Sequence, residues 1–214
     1  SDDASPIIMI IHGGCWRSSY NLSLMDSMSH ELTSLGYATW NIEYRRTEDL
    51  GGGWPGTFTD ISAALKYINV IAEKYPIDLE NIIVTGHSAG GHLALFQGAQ
   101  SKLSNESELK VEGLPSIKGI VSLAGITDLS SYYSPSGCGS NVKNLMGGLP
   151  DEETEKYQEG APISHLPLDI PQILINGVSD NIVPLSHIMP YFEKAKDLGD
   201  QIQLLTIQGA GHFE

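Results

Sequence analysis

The stretch Ile82-Ile83-Val84-Thr85-Gly86-His87-Ser88-Ala89-Gly90-Gly91-His92-Leu93-Ala94-Leu95 constrains the fold more than any other part of the chain. It reads as a β-branched strand, one sharp glycine-flanked turn, and a helix that opens on small residues. Gly86-His87-Ser88-Ala89-Gly90 has the spacing G-x-S-x-G. In that arrangement a serine sits on a strained strand-to-helix turn with its hydroxyl exposed. Small residues two positions before and after it are needed because the strand and helix backbones nearly touch. The plain alternative is a glycine-rich turn with an idle serine. It is disfavoured because other segments supply the partners such a serine requires.

Elements alternate around this turn. Residues 6–11, Pro-Ile-Ile-Met-Ile-Ile, form a continuous apolar run, which suits a central parallel strand covered on both faces. The loop His12-Gly13-Gly14-Cys15-Trp16 follows it. Leu22, Met25, Met28, Leu32 and Leu35 recur at helical spacing up to Gly36, and residues 37–44 read as the next strand. A glycine-rich loop spans 47–56. Thr59 or Asp60 is then expected to cap a helix running to Glu73 or Lys74. Pro76-Ile77-Asp78 reads as a turn into the serine strand, and 101–114 as a solvated loop. Further strands are expected at 117–123, 172–176 and 201–207, with a helix over 186–198 that Pro190 interrupts or kinks. Residues 129–170, with an acidic helical piece at 151–157, look like a lid or binding excursion. Such alternation predicts one α/β domain over residues 1–214, a mostly parallel sheet flanked by helices. Ligands bind such sheets at the carboxyl ends of the strands, where His12 to Trp16, Ser88, Asp128, Asp180 and His212 all fall.

A serine hydroxyl becomes a useful nucleophile when a histidine, held in one tautomer by a carboxylate, takes its proton. Of the seven histidines, His212 alone follows a strand in a glycine-rich loop near the end of the chain, giving the order Ser…Asp…His. Asp180, in the turn after the 172–176 strand, is the favoured acid. Asp128 is the alternative, although Thr127-Asp128-Leu129-Ser130 resembles a helix cap. The oxyanion of a tetrahedral intermediate needs donors, and the N–H groups of Gly14, Cys15 and Ala89 are the candidates. Gly13 is expected to be needed mainly so that its turn can form.

The formal net charge is −14, from 12 basic and 26 acidic residues, which argues against nucleic acid or an anionic membrane surface as a partner. No apolar run approaches the ~20 residues of a membrane helix. Cys15 and Cys138 are expected as free thiols, favouring a reducing, cytoplasmic setting. No spacing suits a metal site, and no cofactor is expected. The spacing leaves oligomeric state open.

Together, His12-Gly13-Gly14-Cys15-Trp16 and Gly86-His87-Ser88-Ala89-Gly90 resemble the H-G-G-x-W branch of the α/β-hydrolases. That branch contains kynurenine formamidase-like enzymes and carboxylesterases related to the hormone-sensitive-lipase group, and Glu43-Tyr44-Arg45 is similar to a segment of the same group. The resemblance implies Ser88 as nucleophile, Asp180 as acid, His212 as base, and residues 13–15 as the oxyanion loop. It also implies strands before the glycine loop and a helix after the histidine. Either those terminal elements are absent from this sequence or the chain is an unusually short member. Trp16 and His87 are the candidates for lining a substrate pocket, whereas Trp54, Phe58, Tyr132 and Tyr133 are expected to be packing residues. The implied activity is hydrolysis of small carboxylic esters through an acyl-enzyme, with an aryl formamide as the alternative substrate. A non-catalytic binding protein on the same scaffold, or a metal hydrolase, fits these residues less well.

Overall fold

A computed structural model describes residues 4–213. Six strands form one parallel sheet in the order β2-β1-β3-β4-β5-β6. They are β1 (Ser5–Ile11), β2 (Ala38–Ile42), β3 (Ile77–His87), β4 (Ile117–Leu123), β5 (Gln172–Gly177) and β6 (Ile202–Ile207). Between them run α1 (Asp26–Ser34), α2 (Gly56–Ala72), α3 (Ala89–Ala99), three short helices α4 (Leu129–Tyr132), α5 (Val142–Met146) and α6 (Thr154–Gly160), and finally α7 (Leu185–Asp197).

The unbroken apolar run of β1 has a direct cause. Strand side chains alternate between faces, so Ile7, Met9 and Ile11 enter the main core. Ile8 and Ile10 pack on the other face with Met25, Met28 and Leu32 of the α1 region. At the centre α3 is buried along its whole length, and it packs on β3 and β4. Its composition matches that position, since it carries no charged residue.

Three local expectations are corrected. The serine strand begins at Ile77 rather than after a turn there, because Ile77 and Asp78 pair with Ser5 and Pro6 before the register shifts. Helix α2 starts at Gly56, not at a Thr59 or Asp60 cap. The Asp60 carboxylate is engaged by Arg45, accepting from its backbone N–H at 2.8 Å and from Nε and Nη2 at 2.8 and 2.7 Å. Of the two expectations for Pro190 only interruption is overturned, since helix α7 runs through it. Both Pro190 and Ser186, whose carbonyl loses its helical donor, are exposed, so solvent can replace the missing bond. Residues 129–170 hold three short helices, α4, α5 and α6, where one acidic piece at 151–157 was expected, and that piece lies at Thr154–Gly160.

The largest correction concerns the cysteines. Cys15 and Cys138 form a disulfide across 123 residues, with Cα atoms 5.3 Å apart. The expectation of free thiols fails, and with it the reason for placing the chain in a reducing compartment. Spacing could not reveal a pair that only the fold brings together. Among the described residues no helix is long and apolar enough to cross a membrane.

Candidate active site

Ser88 lies between the last residue of β3 and the first of α3, at φ 57° and ψ −119°. This is left-handed backbone for a non-glycine residue, held because both flanks are locked. Its N–H donates to the Leu123 carbonyl at 2.8 Å, and its carbonyl accepts from His92 N–H at 3.0 Å. The flanking glycines are dictated by space. A Cβ at Gly86 would stand 2.3 Å from the Gly90 carbonyl oxygen, and one at Gly90 would stand 2.1 Å from that of Ile11.

The structure brings the three residues of the expected triad to one end of the sheet. His212 Nδ1–H donates to Asp180 Oδ2 at 2.7 Å. A carboxylate can only accept, so Nδ1 carries the proton of this bond, and in the neutral ring Nε2 is the nitrogen with the lone pair. Asp180 is itself fixed, because its Oδ1 accepts from the N–H groups of Ile182 and Val183, each at 2.8 Å. The loops after β5 and β6 are tied together by Ser179 N–H donating to the Ala210 carbonyl at 2.9 Å. Gly177 permits that approach, since a Cβ there would stand 2.3 Å from the Gly211 oxygen. Asp128 is elsewhere employed: its Oδ1 caps α4 by accepting from Ser130 N–H at 3.0 Å.

Ser88 and His212 line a cleft of about 640 Å³ together with Gly14, Cys15, Tyr20 and His87. Two of the three oxyanion candidates, Gly14 and Cys15, border it. Ala89 is the first residue of α3, so its N–H has no intrahelical acceptor. Gly14, Cys15 and Trp16 all have positive φ, at 103°, 55° and 56°. Gly13 is required for a reason other than its turn: a Cβ there would stand 2.7 Å from the His87 carbonyl oxygen and 3.2 Å from Ser88 Cβ.

Sequence reasoning missed how this loop is held. His12 is fully buried, stacks on Tyr44 with ring centroids 4.3 Å apart, and donates from Nε2 to Glu43 Oε1 at 2.7 Å. Tyr44 donates from its hydroxyl to the His12 carbonyl at 3.0 Å, and burial, with the Glu43 charge, pushes its phenol well above the ordinary range. The Glu43-Tyr44 segment was the available signal, but its link to His12 crosses between neighbouring strands β1 and β2. From the other side, Asn141 Nδ2 donates to the Cys15 carbonyl at 2.7 Å, beside the disulfide.

One of the two proposed pocket residues is displaced. Trp16 is fully buried and meets His92 edge-on at 5.5 Å, so it belongs to the core rather than the cleft wall. The left-handed turn over residues 14–16 carries its side chain inward. His87 does line the cleft. Its Nε2–H donates to the backbone carbonyl of His212 at 2.7 Å. Burial, then the neighbouring His212, lowers the His87 pKa. His92 is fully buried and His187 half-buried, and desolvation pushes each down to about 4. His92 is occupied by donating from Nε2 to the Gly160 carbonyl at 2.9 Å. His187 Nε2 accepts from Thr127 N–H at 3.1 Å. Among the described residues no cluster of His, Cys, Asp and Glu could hold a metal ion.

Comparison with known proteins agrees with this architecture. The family model described as BD-FAE matches residues 1–193. Esterase LipC of Mycobacterium tuberculosis is 23% identical over 217 residues, an alignment covering 97% of this chain and 53% of LipC. The probable carboxylic ester hydrolase LipM of the same organism is 21% identical over 204 residues, covering 92% of this chain and 46% of LipM. The chain thus spans about half the length of these curated relatives. A solved structure of a truncated carbohydrate esterase from gut microbiota superposes with a TM-score of 0.80 at 25% identity, covering 100% of this chain and 80% of that one. With a six-stranded parallel sheet, a strained serine at the end of β3 and a model matching most of its length, the chain has the α/β-hydrolase fold and belongs to the BD-FAE family.

Proposed function

We propose that the protein hydrolyses small carboxylic esters through an acyl-enzyme on Ser88. The observation that carries this reading is the 2.7 Å bond between His212 Nδ1 and Asp180 Oδ2, in loops that meet the cleft of Ser88. The relatives named as esterases support it. Ser88 Oγ attacks the ester carbonyl and passes its proton to His212 Nε2. Asp180 keeps the imidazole in the tautomer able to receive it and offsets the charge that forms. The Ala89 N–H, with Gly14 and Cys15, takes up the oxyanion; losing one such donor typically costs about 3–4 kcal/mol. Collapse expels the alcohol, protonated by His212, and water then repeats the sequence on the acyl-enzyme. Residues 129–170 act in this reading as a lid-like wall of a single catalytic domain.

A second reading concerns the alcohol. A neighbouring pocket of about 570 Å³ meets the cleft at Gly137, Cys138 and Ile182, and is lined by Tyr132, Tyr133, Asn181 and Ser186 among others. Hydroxyl and amide groups beside aromatic rings suit a polyhydroxylated leaving group, in line with the carbohydrate esterase the fold resembles. The test is turnover of p-nitrophenyl acetate and butyrate, and of an acetylated monosaccharide, by the parent chain and Ser88→Ala. Loss of all turnover in the variant supports the serine mechanism. Retained turnover overturns it.

A further inference from the structure

We infer that His87 is a positioning residue for the base: by donating Nε2–H to the carbonyl of His212, it sets where the His212 imidazole stands relative to Ser88. This inference rests on the reading of Ser88, His212 and Asp180 as a triad.

Asp180 orients His212 through its side chain alone, at Nδ1. An imidazole gripped at one atom still moves with its backbone, and the His212 backbone lies in a loop beyond the last strand, β6. His87 supplies the second grip, 2.7 Å from the His212 carbonyl and 125 residues away in sequence. The His87 ring is confined on several sides. The His212 ring lies 4.7 Å from it and the Phe213 ring 5.8 Å. On the oxyanion side, a Cβ at Gly13 would already stand 3.2 Å from His87 Nδ1. His87 also adjoins Ser88 in the chain. One ring therefore ties the nucleophile's turn, the oxyanion loop and the base together, and triad geometry depends on sub-ångström placement.

The charge state fits this role. The titratable groups bearing on His87 are His212 and Asp180. Burial and His212 oppose its protonation, while Asp180 and the bond to the His212 carbonyl favour it less strongly. A neutral ring holds His212 without placing a second positive charge beside the imidazolium that forms during catalysis.

The experiment compares kcat and KM for p-nitrophenyl acetate in the parent chain, His87→Ala and His87→Gln, with Ser88→Ala as control and thermal melts on all four. Gln places an amide N–H at a similar reach, so it can remake the bond to the carbonyl. His87→Ala is expected to lower kcat about tenfold to a hundredfold with KM within about twofold. His87→Gln is expected to recover kcat to within about threefold. The inference is overturned if His87→Ala keeps the parent kcat, if its effect falls on KM, or if Gln is as impaired as Ala while both melt near the parent temperature. Unfolding of both variants at assay temperature, with Gln unable to restore the melt, also overturns it by assigning His87 to packing. Activity surviving in Ser88→Ala would defeat the triad itself and leave a separate signature.

Discussion

Cys15 and Cys138 are joined although 123 residues separate them, and the bond links the loop bearing two expected oxyanion donors to the segment that walls the cleft. Arg17 reinforces the junction by donating to the Gly137 carbonyl at 3.4 Å. The loop over residues 12–16 and the 129–170 excursion are thus joined covalently as well as by contact.

Removing that bond has a measurable consequence. A closed loop of this length constrains the unfolded chain strongly, and disulfides of this kind typically contribute about 2–4 kcal/mol. Cys138→Ser is expected to lose stability of that order in urea denaturation and to lower kcat for p-nitrophenyl acetate. An unchanged midpoint, together with alkylation of both cysteines in the native parent, would show that the bond does not form.

The two candidate acids separate by substitution. Asp180→Asn removes the acceptor that holds the His212 tautomer, and comparable changes in serine hydrolases lower kcat by about 10⁴-fold. Asp128→Ala removes only the cap on α4, at a cost of about 1 kcal/mol, and leaves aryl ester turnover within about twofold. Equal losses in the two variants would contradict the assignment.

Gly13→Ala tests the oxyanion loop. The added methyl would press on the His87 carbonyl at 2.7 Å and on Ser88 Cβ at 3.2 Å, so the loop must retreat from the serine. A fall in kcat on the order of a hundredfold is expected, with KM less affected. Parent-like kcat would mean that the loop's distance from Ser88 does not matter to the chemistry.

Acid sensitivity follows from two histidines whose charged forms are disfavoured by desolvation. In the folded chain His92 and His187 each titrate at about 4, whereas an unfolded histidine titrates near 6.5. Between those values the unfolded state binds protons that the folded state refuses. Stability is therefore full above about pH 6.5 and falls as pH drops toward 4, by about 2–3 kcal/mol for each group at the lower end. Denaturation midpoints at pH 7.5, 6 and 4.5 measure this, and His92→Gln should flatten the dependence. A midpoint constant across that range would contradict it.

Much of the site was legible because it is written in contiguous residues. The G-x-S-x-G turn is a local solution to a close strand–helix approach, so its glycines announce it. Asp180 and His212 were legible from topology, since each follows a strand of a parallel sheet, where loops gather at one end. Element starts were less legible. Ile77 looked like a turn residue because its strand partner, Ser5, lies 72 positions earlier. Asp60 looked like a cap because nothing local reveals that Arg45 claims its carboxylate.

The amino-acid sequence by itself determined the order of strands and helices, the strained serine and the strand-end positions of Asp180 and His212, because each depends on short-range sterics or on chain order. Only the tertiary structure decided the partnerships. It paired Cys15 with Cys138, buried Trp16, braced His12 with Glu43 and set His87 against the His212 carbonyl. These are contacts between segments that are distant in sequence or turned by left-handed backbone, and neither periodicity nor spacing encodes where a side chain ends once its loop has folded over another.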